Sequence, residues 1–286
     1  MSTVVGDALA GATAVGARPG RGTAAAVGAS LCLYEAGMAL NDWADRTEDA
    51  VDRPHRPLPS GRIAPREALA AAGLLTAGGL ALAARAGRPA LAVAGGLAAT
   101  VWAYDLRLKH TPAGPAAMAA ARTLDVLLGA TATGGRTAPV RAAVPASAAL
   151  GLHTWAVTTV SRHETRGGST TAPLAALATA TALATALARP DRRPAEGAPQ
   201  APRGGRSPLL PALCALPYLR TAGRPLLHAA LNPSPELTQR AVGGGIRAMI
   251  PLQAALAARA GAPAVALGVL ALAPLARALA RKVNPT

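Results

Sequence analysis

Apolar residues run along this chain in blocks close to the length of a membrane-crossing helix, about 20 residues. The blocks fall at 1–17, 23–42, 67–84, 89–104, 113–133, 139–160, 171–188, 208–231, 237–258 and 263–280. The first is short and broken by Asp7, and 208–231 is interrupted by Pro217, Arg220 and Arg224. The pattern therefore predicts about nine spans. No block alternates with a period of two, so no strands are expected, and lipid admits helices as open spanning elements. The predicted fold is all-α, a polytopic transmembrane helix bundle forming one membrane domain over 1–286. Residues 189–207 are polar, basic and Pro-rich, and are expected to form a flexible loop.

Composition agrees with a bundle in lipid. Charged residues make up 15% of the 286 positions, against about 25% in soluble domains. There is no Phe, and only three Trp and three Tyr. The net charge of +15 comes from Arg scattered between apolar blocks. A nucleic-acid surface would gather such charge into a patch, so no nucleic-acid partner is expected; anionic headgroups and phosphorylated substrates suit it better. Cys32 and Cys214 lie in apolar blocks and make no disulfide framework. The five His are far apart in sequence, so no zinc site is indicated.

One stretch breaks the apolar pattern sharply. Five of the fourteen acidic residues fall within 42–52, at the end of the second block. If 40–52 is helical, Asp42, Asp45 and Asp49 share one face. Asn41 offers an amide oxygen beside them. Carboxylates crowded in this way repel unless cations neutralise them, and Mg²⁺ takes carboxylates together with substrate phosphates. A stiff turn follows at once, with Pro54, Pro57, Pro59 and the phosphate-seeking Arg56.

The run Asn-Asp-x-x-Asp-x-x-x-Asp followed by Arg-Pro-x-Arg-Pro-x-Pro-Ser-Gly, over 41–61, resembles the first aspartate motif of the UbiA superfamily of intramembrane prenyltransferases. The resemblance implies a helical membrane enzyme that holds an isoprenyl diphosphate through Mg²⁺ and transfers the prenyl group to a small acceptor. Tyr104 and Lys109 are similar to that family's Tyr-x-x-x-x-Lys element. As a point charge, Lys109 suits a diphosphate oxygen; without the first motif, an interfacial Tyr and a snorkelling Lys would explain the pair equally well. The stretch 158–168 stands where family members usually carry a second Asp-x-x-x-Asp. Here its only acid is Glu164, among Arg162, His163 and Arg166. The Ser-Arg-x-Glu-x-x-Gly-Gly element, the run from Gly114 to Arg122 and the late Gly-Gly-x-Ile-x-x-x-Ile-Pro-Leu resemble an EboC-like branch of the superfamily.

On this reading the catalytic set is Asp42, Asp45, Asp49, Lys109 and Glu164. Asn41, Asp42, Asp45, Asp49 and Glu164 are the expected Mg²⁺ ligands. Asn41, Arg56, Tyr104, Arg122, Asp125 and Arg162 are the expected substrate contacts. Arg122 and Asp125 lie inside a block, at a spacing that lets them face each other. They form either a structural ion pair or a site with Arg122 on the diphosphate and Asp125 near the acceptor. Trp43, Trp102, Tyr104 and Trp155 fall near the ends of blocks, where they serve an interfacial belt or stabilise an allylic cation. Basic residues do not choose an orientation. A cytoplasmic active face in the cell membrane is expected because Mg²⁺ and diphosphates are there. Two alternatives remain open: a terpene cyclase of the same fold, and a non-catalytic protein that binds prenyl or phosphate lipids.

Overall fold

The computed structural model describes residues 2–135, 139–165, 167–189 and 209–283. Its helices are α1 (Ser2–Ala14), α2 (Arg21–Ala44), α3 (Arg46–Asp52), α4 (Pro65–Ala86), α5 (Arg88–Ala103), α6 (Gly114–Gly134), α7 (Val144–Ser161), α8 (Thr171–Ala188), α9 (Leu209–Leu231), α10 (Pro235–Arg259) and α11 (Pro263–Val283). A π-helical turn, Tyr104–Leu108, continues α5, and a 3₁₀ turn, Val140–Ala143, precedes α7. No strand occurs among the described residues. The loop expected over 189–207 lies, apart from Arg189, outside them, as does Arg166.

Each apolar block of the sequence carries a helix, and the breaks between them have local causes. Pro stands in the first turn of α4, α5, α6 and α10, where its missing N–H costs nothing. Gly87, at φ +120°, joins α4 to α5; a side chain is strained there. Ser234 caps α10, its hydroxyl accepting from Leu237 N at 3.3 Å.

Five helices among the described residues are long and apolar enough to cross a bilayer: α2, α4, α5 with its π turn, α8 and α10. The nine expected are not reached by that measure. At 13 residues, α1 is about 20 Å long against a hydrocarbon core of about 30 Å. α9 is continuous, but Arg220 and Arg224 break its apolar run, and Pro217 and Pro225 lie inside it.

The chain forms two compact units, residues 3–155 and 156–286. In the first, Ala and Gly let helices approach at backbone distance. A Cβ on Gly11 would stand 2.0 Å from Val126 O, and one on Gly129 2.5 Å from Ala8 Cα, so α1 lies directly on α6. A Cβ on Gly22 would meet Ala132 O at 2.0 Å, which brings α2 onto the same helix. The core between them is built of Ala8, Ala26, Leu33, Ala94, Leu97 and Leu128. Small residues at such seams are how helices associate in lipid, and they make Phe dispensable. In the second unit α10 packs on α9 and α11, and α9 on α8. Gly244 sits against Thr221 O and Gly245 against Val157, and Tyr218 is fully buried.

Candidate active site

The acidic stretch does not form one helix. The chain turns at Asp45 (φ −86°, ψ 3°), so α2 ends at Ala44 and α3 begins at Arg46. The ψ near zero falls in the bridge region between helix and strand. The backbone N–H of Asp45 still donates to Asn41 O at 2.9 Å, and that of Asp49 to Asp45 O at 2.8 Å. The three aspartates therefore stay close but divide into two groups. Arg56 Nη1 donates to Asp49 Oδ2 at 2.7 Å and reaches Asp42 Oδ1 at 3.4 Å. Asp45 is paired with Lys109 Nζ. Arg53 lies 3.6 Å from Asp49.

Arg56 is delivered by a loop that holds its own shape. Arg62 donates to His55 O at 2.8 Å and to Ser60 Oγ at 3.1 Å, while Ser60 N bonds Arg56 O at 3.0 Å. Gly61, at φ +74°, ends the turn. Lys109 owes its position to the π turn: its backbone N–H bonds Tyr104 O, five residues back, at 3.0 Å. Such wide turns recur at functional sites. The first unit thus brings together Asn41, Asp42, Asp45, Asp49, Arg56, Tyr104 and Lys109, from α2, α3, the loop and the end of α5.

The carboxylates suit a divalent cation. One guanidinium nitrogen already bridges Asp42 and Asp49, and one ammonium sits on Asp45; each stands where a cation is wanted. Ligand atoms of Asp45, Glu48 and His110 also lie within 4.8 Å of one another. Glu48 and His110 were not among the expected ligands. His110 follows Lys109 around the π turn, and the sequence distance of 62 residues from Glu48 hid the pairing.

Arg122 and Asp125 are not brought to this cluster. Arg122 pairs with Asp7 of α1, and Asp125 accepts from Ser30 of α2. Ser30 lies eleven residues before Asn41 on α2, about 16 Å along the helix axis. Arg122 also faces the ring of Tyr34, 5.4 Å from its centroid. The two residues are tied into helix packing within one buried group, in which Asp7 and Tyr34 are neighbours of both. The aromatic residues are similarly engaged. Arg46 covers the face of Trp43 at 4.5 Å, and Trp102 Nε1 donates to Thr76 at 3.0 Å.

Arg162 and Glu164 belong to the second unit, in the turn after α7. That turn is held on the start of α10: Gly168 N bonds Pro233 O at 2.8 Å. Gly167 (φ +63°) has room only for hydrogen, because a Cβ would meet Pro233 O at 2.5 Å. Burial pushes the Glu164 carboxyl above its ordinary range.

A sequence model of the UbiA prenyltransferase family matches residues 1–189. The chain belongs to the UbiA prenyltransferase family. It is similar to the digeranylgeranylglyceryl phosphate synthase of Methanopyrus kandleri, 41% identical over 113 residues, 39% of this chain and 40% of that one. The corresponding Halobacterium salinarum protein is 39% identical over 133 residues, 46% of this chain and 47% of its own. A chloroplastic chlorophyll synthase of Avena sativa shares 43% over 51 residues, 18% of this chain and 14% of its own. The matches thus span less than half of these relatives' lengths. Among solved structures, a digeranylgeranylglyceryl phosphate synthase aligns over 90% of this chain and 92% of its own, at a TM-score of 0.63 and 17% identity. A UbiA homolog from Aeropyrum pernix K1 aligns over 86% and 96%, at 0.61 and 22%. The UbiA chain is therefore an all-helical, multi-pass membrane protein with the fold of its family.

Proposed function

We propose that this UbiA-family protein is a Mg²⁺-dependent prenyltransferase that moves a prenyl group from an isoprenyl diphosphate to a small acceptor. The observation that carries this reading is the paired arrangement of Asp42, Asp45 and Asp49 with Arg56 and Lys109 at one end of α2 and α5. These are the two kinds of group that a metal-bound diphosphate needs. Relatives named for making digeranylgeranylglyceryl phosphate support it.

Asn41, Asp42, Asp45 and Asp49 would hold the metal. Bound there, Mg²⁺ supplies positive charge against the diphosphate oxygens. Arg56 and Lys109 exchange carboxylate for phosphate oxygens and neutralise charge on the leaving group. Fixed cations of this kind, in a site of low dielectric, provide the largest share of such rate gains. Tyr104, at the start of the π turn, is the proposed substrate contact beside them. In the turn after α7, Glu164 is proposed as a metal ligand or proton acceptor and Arg162 as a phosphate contact. The active face is proposed to lie in the cytoplasm, at the cell membrane, with the prenyl chain among Ala- and Leu-lined helices.

The test is incubation of purified protein with Mg²⁺, isoprenyl diphosphates of several lengths and a cell extract, followed by pyrophosphate assay and mass spectrometry. Metal-dependent pyrophosphate release with a prenylated product is expected, and both should vanish in Asp45→Ala while the variant stays folded. Binding without release would make the protein a lipid carrier. Release with a cyclised product and no acceptor would make it a terpene cyclase.

A further inference from the structure

Asp105 lies inside the Tyr104–Lys109 element without a role assigned to it above, yet it is 5% exposed and has Asn41, Lys109 and Asp45 as neighbours. Val101 and Asp105, one turn apart, both meet α2 at Gly37. A Cβ on Gly37 would stand 2.8 Å from Val101 Cγ1 and 3.4 Å from Asp105 Oδ2. The bare glycine therefore lets the end of α5 close on α2, one turn before Asn41. At that point Asn41 Nδ2 donates to Asp105 Oδ1 at 3.4 Å. A carboxylate only accepts hydrogen bonds, so it selects which end of the amide it takes. The nitrogen faces Asp105, which leaves the carbonyl oxygen as the end offered to a cation, and hard cations take oxygen.

We propose that Asp105 is a positioning residue for the metal site, fixing the amide of Asn41 so that its oxygen joins the carboxylates of Asp42 and Asp45. This rests on the metal reading under Proposed function. Groups behind metal ligands typically change metal affinity 10- to 100-fold when removed. Two features of the fold make the arrangement possible: the glycine at 37 and the π turn that begins at Tyr104.

The test is calorimetric titration of Mg²⁺ into the full chain in detergent micelles, with inorganic pyrophosphate present. It compares wild type, Asp105→Asn, Asn41→Ala and the double variant. Asp105→Asn is expected to weaken Mg²⁺ binding about tenfold. Because Asp105 acts through Asn41, the double variant should bind no more weakly than Asn41→Ala alone. Gly37→Ala, which moves the carboxylate without removing its charge, should also weaken binding; it serves where Asp105→Asn does not fold, as thermal melting will tell. Unchanged affinity in Asp105→Asn, or losses that multiply in the double variant, overturns the proposal and leaves the metal site standing. Absence of Mg²⁺ uptake by the wild type overturns both.

Discussion

Replacing Arg122 with Met separates two roles for this residue, structural tie and substrate contact. The guanidinium is paired with Asp7, and the side chains are 11% and 0% exposed. Removing the cation takes the guanidinium away from the buried Asp7 carboxylate between α1 and α6, and breaking a buried pair on one side costs about 3–5 kcal/mol. At roughly 2–4 °C per kcal/mol for a chain approaching this size, Tm should fall by roughly 6–20 °C. Circular dichroism of the protein in detergent micelles measures this. Adding Asp7→Asn should restore most of the loss, because the carboxylate that lost its guanidinium is then a neutral amide. Pyrophosphate binding, measured below the lowered Tm, should match the wild type, because Arg122 lies turns away from the Asp45–Lys109 pair. A variant that melts like the wild type but binds pyrophosphate tenfold more weakly would refute this and put Arg122 on the diphosphate.

Three further outcomes follow from the structure. Arg56→Ala should weaken pyrophosphate binding by about tenfold or more, since charge-assisted hydrogen bonds are worth about 1.5–3 kcal/mol; calorimetry checks it. Gly129→Val should push α1 off α6, because even a Cβ would stand 2.5 Å from Ala8; faster proteolysis near the N-terminus and a lower Tm report it. Ser234→Ala removes the cap of α10 and should cost about 1 kcal/mol, read from the melting curve, with Mg²⁺ binding unchanged.

The helices were legible because lipid leaves the sequence little freedom: long apolar blocks bounded by Arg, Pro and Gly form helices. How many cross the bilayer was not, since length and apolarity trade off separately in blocks such as 1–17 and 208–231. The crowding of acids over 42–52 was visible in the sequence, but the turn at Asp45 was not, because its backbone changes while the helical hydrogen bonds on either side persist. Asp7 looked like an interruption of an apolar run. Its partner Arg122 is 115 residues away, and no local pattern connects them. Asp105 was passed over because one acid at a helix end has no period, and the glycine that seats it against Asn41 lies on another helix. The turn holding Glu164 follows the same rule: its glycines were visible, whereas the Pro233 carbonyl that requires them was not.

The resting ion pairs at the mouth of α2 bear on turnover as well as on binding. On the proposed function pyrophosphate is the group left behind, and Arg56 and Lys109 would then have an intramolecular place to return to, at Asp49 and Asp45. Those carboxylates compete with the spent anion at high effective concentration, because helix and loop hold them in place. On the proposed function, the protein would thus carry its own displacing agent against the spent anion.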